Sequence, residues 1–295
     1  MRGGRTARQI PLHPARGRWH SAKFAPGRTG PLVVYALITR QAFRRYLTYR
    51  GALLGGVLAN TVFGVIKAFI MTAVWKQRPS IGGYGLADAL TYVFLAQAMI
   101  GPMSLLTNGL DIPARIRSGD IGTDLFRPVD FQAYWLANDL GRAAFGLLGR
   151  SVVPFIVGAL MFHLHVPADP RVWAAFLVAV FLGTIVSFAL RYLAAMSAFW
   201  LLDEKGVTGL ANVLTSFLGG MIVPLVLFPA WLGHLARMLP WASLVQLPAD
   251  VFLGKRTGAA IGGAYLFEIG WAVALLLAGR LITRRARHRV VVQGG

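Results

Sequence analysis

Cysteine is absent from this chain of 295 residues, which excludes a disulfide framework and any thiolate-ligated metal site. Acid is scarce as well. Eleven Asp and Glu face 30 Lys and Arg, a formal net charge of +19, yet charged residues of both signs make up only 14% of the sequence. That low share, with 56% hydrophobic residues and a mean hydropathy of +0.59, excludes intrinsic disorder and argues against a soluble basic protein built for nucleic acid. A lipid bilayer accounts for both halves of the composition. Apolar runs of about 20 residues cross the hydrocarbon, and Lys and Arg gather in short loops on the cytoplasmic side.

Recognisable catalytic motifs are missing too. No G-x-x-x-x-G-K-[ST] occurs, since Gly254-Lys255 lacks the upstream glycine spacing. Gly149-Arg150-Ser151 runs into Val152-Val153, not into the X-Gly of a nucleophile elbow. His163 and His165 stand two residues apart, which points them away from each other on a helix and favours interfacial polar roles over metal ligation. The expectation is a protein that is not an enzyme, with no catalytic residues, no metal and no cofactor bound by this chain.

Six apolar segments are present, at 51–74, 89–109, 144–163, 173–200, 207–229 and 261–281. At 1.5 Å per residue each is long enough to cross roughly 30 Å of hydrocarbon. Ahead of them, residues 1–30 carry seven Lys and Arg, no acid and no apolar period, and read as a disordered basic cytoplasmic tail. From Pro31 to Arg50, Val34, Leu37, Ile38, Tyr46 and Leu47 oppose Arg40, Arg44 and Arg45, the pattern of an amphipathic helix at the membrane interface. Six crossings put 21 of the 30 cations on one side and six on the other. By the positive-inside rule both termini are therefore cytoplasmic. The fold class is all-α: a six-helix membrane domain over 31–281 between the tail and a second basic tail over 282–295.

Two connections are unusual. The cytoplasmic stretch 110–143 holds five of the eleven acids, with Ile112, Ile116, Ile121, Leu125 and Phe126 interleaved, so it has the apolar content to fold and the charge to stay wet. The external stretch 229–260 contains Trp231, Trp241 and the breaks Pro229, Pro240 and Pro248, which suit short helices dipping into the outer leaflet.

Charges inside the spans are functional candidates. Arg150 and Arg191 fall toward cytoplasmic ends, where their side chains can snorkel and anchor. Lys67 and Glu268 lie at equal depth, about 10 Å below the outer ends of the first and sixth spans. They are expected either to neutralise one another, within the bundle or across a subunit boundary, or to have one of them line a pathway. Asn60, Thr61, Thr107 and Asn108 are polar candidates for helix contacts or for that pathway. Gly51 and Gly55 permit close helix approach, and Gly219-Gly220 with Pro224 interrupt the fifth span.

The run Arg117-Ser118-Gly119-Asp120-Ile121-Gly122-Thr123-Asp124-Leu125-Phe126-Arg127-Pro128-Val129 resembles the R-S-G-x-I-x-x-D-L-x-R-P-V segment of type 2 ATP-binding-cassette exporter permeases. Within that class the resemblance is to the branch once grouped as a family of unknown function. Tyr49-Arg50 at the first span, Phe228-Pro229-Ala230-Trp231-Leu232, Leu239-Pro240-Trp241 and Leu247-Pro248-Ala249 agree with it, and the similarity covers about 31–295.

The resemblance implies a six-span permease subunit with cytoplasmic termini, paired with a second permease subunit, identical or related. It would be driven by separate ATPase subunits that carry the ATP and Mg. It also implies export of a hydrophobic or amphipathic substrate across the cytoplasmic membrane. The first cytoplasmic loop would be the ATPase-coupling element, formed by Arg115, Arg117, Gly119, Asp120, Asp124, Leu125, Arg127 and Pro128. Physically, such an element needs an apolar anchor, expected from Ile112, Ile116, Ile121 and Leu125, and a charged rim, expected from Arg115, Arg117, Asp120, Asp124 and Arg127. A secondary carrier is the competing class, and it should show two repeated halves with midplane acids; no repeat relates 51–163 to 173–281. A membrane scaffold without transport is the other alternative. The wealth of Arg, Ala and Gly fits a GC-rich bacterial genome.

Overall fold

A computed structural model of the chain describes residues 30–48, 50–105, 110–201 and 204–287. The expected N-terminal tail, Thr107, Asn108 and the last residues of the C-terminal tail lie outside these. All twelve α-helices among the described residues follow from the apolar runs and their breaks. They are α1 (Pro31–Tyr46), α2 (Arg50–Gln77), α3 (Leu86–Met99), α4 (Ile112–Ser118), α5 (Ile121–Leu125), α6 (Phe131–Gly146), α7 (Val152–Met161), α8 (Pro170–Met196), α9 (Lys205–Leu218), α10 (Ala230–Met238), α11 (Gln246–Phe252) and α12 (Ala259–Arg287).

Among the described residues four helical stretches have the length and hydropathy to cross a membrane: Leu53–Gln77, Phe131–Met161, Pro170–Phe199 and Ala259–Arg287. They contain or overlap the first, third, fourth and sixth expected spans. The third starts earlier than its apolar run. Asp130 accepts the Ala133 N–H at 2.8 Å and caps α6, so 131–143 is helix and not the end of a loop. A π-helical turn at Leu147–Ser151 then joins α6 to α7. Asp169 and Pro170 start α8 in the same manner, the carboxylate accepting the Arg171 N–H. Residues 282–287, expected in the tail, complete α12 instead.

The second and fifth spans are not continuous crossing helices. α3 and α9 have 14 residues each, about 21 Å of helix, short of the roughly 30 Å of hydrocarbon. Gly101-Pro102 follows the end of α3, and its buried continuation through Leu105 turns at Ser104, whose φ is +54°. α9 stops at Gly219, and Gly220 takes φ +81°, a value natural only to glycine. Non-helical backbone at membrane depth must be enclosed by protein, and Gly101 to Leu105 are all buried.

α3 is the central element, buried from Asp88 to Met99. Its Phe94, Leu95 and Met99 pack with Phe176 and Val180 of α8 and with Phe252 of α11 in the main apolar core. A second core joins Ile112 and Ile121 to Phe131, Trp135, Phe188, Tyr192 and Met196, on the side of the bundle where α4 and α5 lie. The backbone after α3 touches that of α6 at Gly101 and Gly146, where a Cβ on Gly101 would stand 2.8 Å from the Gly146 carbonyl oxygen. The outward sides of α2, α7 and α12 expose Leu54, Phe69, Leu160 and Leu266, as suits a lipid-facing surface.

α1 lies along α6. Thr39 donates to the Ala137 carbonyl at 3.0 Å, and Phe43 and Tyr46 pack on Phe145. Arg40, Arg44 and Arg45 are exposed. The connection after α9 forms α10, a 3-10 turn at Pro240–Ser243 and the wholly buried α11; Pro229 and Pro240 start the first two, whereas Pro248, expected as a break, sits in the first turn of α11, where its missing N–H is tolerated.

Candidate functional site

Residues 110–130 fold into two short helices. Pro113 sits in the first turn of α4, where its missing N–H costs nothing, and Gly119 ends the helix in the left-handed region at φ +80°. Ser118 donates to Asp120 at 2.8 Å across the junction, and α5 follows at once. Ile112 and Ile121 are buried in the second core, with Ile116 and Leu125 packed partly against it.

The charged rim differs from expectation at one position. Asp124 is buried, 3% exposed, and forms the hub of the element. Arg115 Nε pairs with its Oδ2, Arg115 Nη2 donates to Oδ1 at 3.1 Å, and Arg127 Nη2 reaches Oδ1 at 3.1 Å. Arg127 also lies over the Tyr134 ring of α6, 4.8 Å from its centroid. Two guanidiniums thus clamp α4, α5 and the start of α6 on one carboxylate. Arg117 leaves the element in another direction and meets the Glu204 carboxylate at 2.5 Å, just before α9. Gly119, Asp120, Arg127 and Pro128 are exposed, and Leu125 is half-buried. Phe126, 84% exposed, projects from the tip.

Beneath this element is a second ionic centre that the sequence reading missed. Asp139 of α6, 1% exposed in its side chain, accepts from Arg142 Nε at 2.7 Å and from Arg191 of α8 at 2.7 and 3.1 Å. Arg191 is therefore a buried partner and not a snorkelling anchor. The remaining Arg142 nitrogens donate to the carbonyls of Gly101 and Pro102 at 2.7 and 2.9 Å. Ser187 donates to the Met103 carbonyl at 2.5 Å, so the open end of α3 is satisfied by α6 and α8. A cavity of about 120 Å³ separates the two centres; Arg115 and Asp124 line one part, Asp139 and Arg142 another, and Tyr46 borders it.

The intramembrane candidates separate. Lys67 donates to the Met221 carbonyl at 2.9 Å, whereas Glu268 is fully buried with both carboxylate oxygens lacking a hydrogen-bond partner, so the two are not paired within the chain. Asn60 donates to the Gln97 carbonyl at 3.3 Å and links α2 to α3; Thr61 bonds back to Val57 on its own helix. Asn60 thus makes a contact between helices, and the Thr61 hydroxyl is satisfied within α2. A Cβ at Gly51 or Gly55 would meet nothing within 4 Å, so that small-residue step faces outward from this chain.

At the opposite end a buried polar network closes the connection after α9. Asp250 Oδ1 is hydrogen-bonded by Tyr84 and, at 2.7 Å, by Gln246 Nε2. Gln246 Oε1 accepts the Leu225 N–H at 3.0 Å, and Tyr92 donates to the Gly220 carbonyl at 2.9 Å. Burial pushes the Asp250 carboxyl above the usual aspartate value, and its hydrogen bonds and the nearby Arg237 and Arg256 offset only part of that. Lys255 donates to Asp88 at 2.6 Å, and His165 stands 2.9 Å from the same carboxylate. Their pairing was invisible because the partners are 167 and 77 residues away in sequence.

The sequence profile of a family described as "ABC-2 family transporter protein" matches residues 61–294. No curated protein matches the chain.

Proposed function

Because the chain belongs to the ABC-2 transporter family, we propose that it is the membrane-spanning permease subunit of an ATP-binding-cassette exporter, driven by separate ATPase subunits. ATP and Mg belong to those subunits. The substrate class is hydrophobic or amphipathic, the membrane is the cytoplasmic one, and both termini face the cytoplasm. Six membrane segments then comprise the four long helices and the two half-length ones, α3 and α9, each extended by non-helical backbone, which after α3 is buried from Gly101 to Leu105.

The observation that carries this reading is the α4–α5 element. A piece that transmits motion must resist bending and must be tied to what it moves. Asp124 supplies the stiffness by holding Arg115 and Arg127 together. Ile112 and Ile121 anchor the element in the second core, and the Arg117 bond to Glu204 gives it a separate grip on α9. Exposed Phe126, followed by exposed Arg127 and Pro128, supports docking into a cleft of the ATPase: one apolar knob beside a charged rim. Displacement of the element would act on α6 through Arg127 and Tyr134 and on α9 through Glu204. A second permease subunit, identical or related, would cover the outward face of α9, where Leu210, Val213 and Phe217 are exposed, and the open Gly51 and Gly55 step.

Affinity purification of the tagged chain from its own host in mild detergent tests the reading. An ATPase chain with a nucleotide-binding site should be retained, and Phe126→Asp should release it while leaving the folded yield of the permease unchanged, because exposed positions tolerate substitution within about 0.5 kcal/mol. Recovery of no ATPase in a preparation that keeps other membrane complexes intact overturns the proposal.

A further inference from the structure

Arg150 is the one arginine of the third span that the ionic centres leave out. It lies in the π-helical turn between α6 and α7, a rare element found frequently at functional sites. Its Nε is buried without a hydrogen-bond partner, and it has no ion pair among the described residues. The opposing position on α2 is Gly56, where a Cβ would stand 2.6 Å from the guanidinium. Glycine there is what makes room for the side chain.

Arg150 lines a cavity of about 230 Å³ with Tyr46, Ile100, Arg142 and Phe145. The charge in this neighbourhood is unbalanced. Arg142 and Arg191 already share the single carboxylate of Asp139, so Arg150 is a third guanidinium with no acid of its own. α1 carries Arg40, Arg44 and Arg45 and no acid, and α3 contributes no charge after Asp88. An unpaired, half-buried guanidinium in a ready cavity has a planar fork of free donors that matches an oxyanion.

We infer that Arg150 and its cavity bind the phosphodiester headgroup of an anionic membrane lipid. The position selects the lipid over a free anion. Gly56 lies about 9 Å along α2 from Arg50, at six residues and 1.5 Å each, which is below the water boundary but within reach of a headgroup and a long side chain. Leu47, next to Tyr46, and Val153, one turn beyond Arg150, are exposed apolar side chains of the kind that contact acyl chains. The surplus of cations favours a lipid with net negative charge. The π-helical turn supplies the local widening that directs Arg150 into the cavity.

Native mass spectrometry of the delipidated, full-length chain in mild detergent tests this with three probes: phosphatidylglycerol, phosphatidylcholine and inorganic phosphate. The readout is binding, needs no ATPase, and so stands apart from the transport reading. Phosphatidylglycerol should be retained by the wild type over phosphatidylcholine. Arg150→Gln should lower that retention by roughly tenfold, the effect of losing one charge-assisted bidentate contact. Arg284→Gln, on the exposed side of α12, should leave it unchanged. Equal retention by the wild type and Arg150→Gln overturns the inference, and displacement of the lipid by inorganic phosphate overturns its lipid source. If Arg150→Gln does not fold, Gly56→Ala replaces it, because its methyl displaces the guanidinium; unchanged retention there overturns the inference equally.

Discussion

Asp139→Asn removes one charge and almost no volume from the centre between α6 and α8. In the wild type that carboxylate accepts three hydrogen bonds of 2.7 to 3.1 Å from two guanidiniums, Arg142 and Arg191. After the change both cations remain, their opposing charge gone. Removing one partner of a buried ion pair costs about 3–5 kcal/mol. Arg142 retains its bonds to the Gly101 and Pro102 carbonyls, which places the expected loss near the lower figure. For a chain of this size, that corresponds to a fall in the melting midpoint of about 6–12 °C. Thermal unfolding in detergent, followed by tryptophan fluorescence, measures it. The control is the double change Asp139→Leu with Arg191→Met, which leaves Arg142 alone near an apolar pair and should recover at least half the loss. If the Asn variant melts within about 1 °C of the wild type, the pairing is not what holds α6 to α8, and the reasoning fails.

Three further outcomes follow from other sites. Glu268→Leu should stabilise the chain by about 1–3 kcal/mol, because both carboxylate oxygens are buried without partners; loss of transport in a variant that folds well would instead assign Glu268 to the pathway. Gly220→Ala should cost about 1–3 kcal/mol, since φ is +81° and the added methyl crowds the Tyr92 hydroxyl; an unchanged melting midpoint would refute the strain. Asp250 has its carboxyl held above the ordinary value by burial, so the folded state binds the proton more tightly than the unfolded chain does. Its stabilising contribution is complete below the ordinary aspartate value and is lost as pH rises through the elevated folded value. Asp250→Asn should flatten that slope in melting midpoint against pH, and a slope identical to the wild type would exclude Asp250 as its source.

The fold was legible wherever hydropathy alone decides. The first, fourth and sixth spans are long apolar runs, and the structure has helices there. The third was cut short at 144 because Asp139 and Arg142 look like loop residues in a linear reading. Their charges are cancelled by each other and by Arg191, which lies 52 residues from Asp139. The second and fifth spans were extended too far for the opposite reason: a hydropathy window averages over Gly101-Pro102 and Gly219-Gly220, whose backbone effect is local and outweighs the apolar side chains around them. In the α4–α5 element, the interleaving of Ile with Asp and Arg showed that it folds, and Pro113 and Gly119 mark its first helix. That Asp124 turns inward was not legible, since its partners Arg115 and Arg127 sit on both sides of it and either orientation fits the pattern.

Gly101 and Gly146 bring two backbones together with no side chain between them. Gly146 lies 15 residues from Phe131 and 15 from Met161, so the contact divides the Phe131–Met161 helix into two arms of about 22 Å. A rod held at its middle rocks more readily than it slides. On the proposed coupling reading, a push on the arm that begins beside α5 would reappear at the far arm with similar amplitude and reversed direction, the two glycines serving as a fulcrum with a lever ratio close to one.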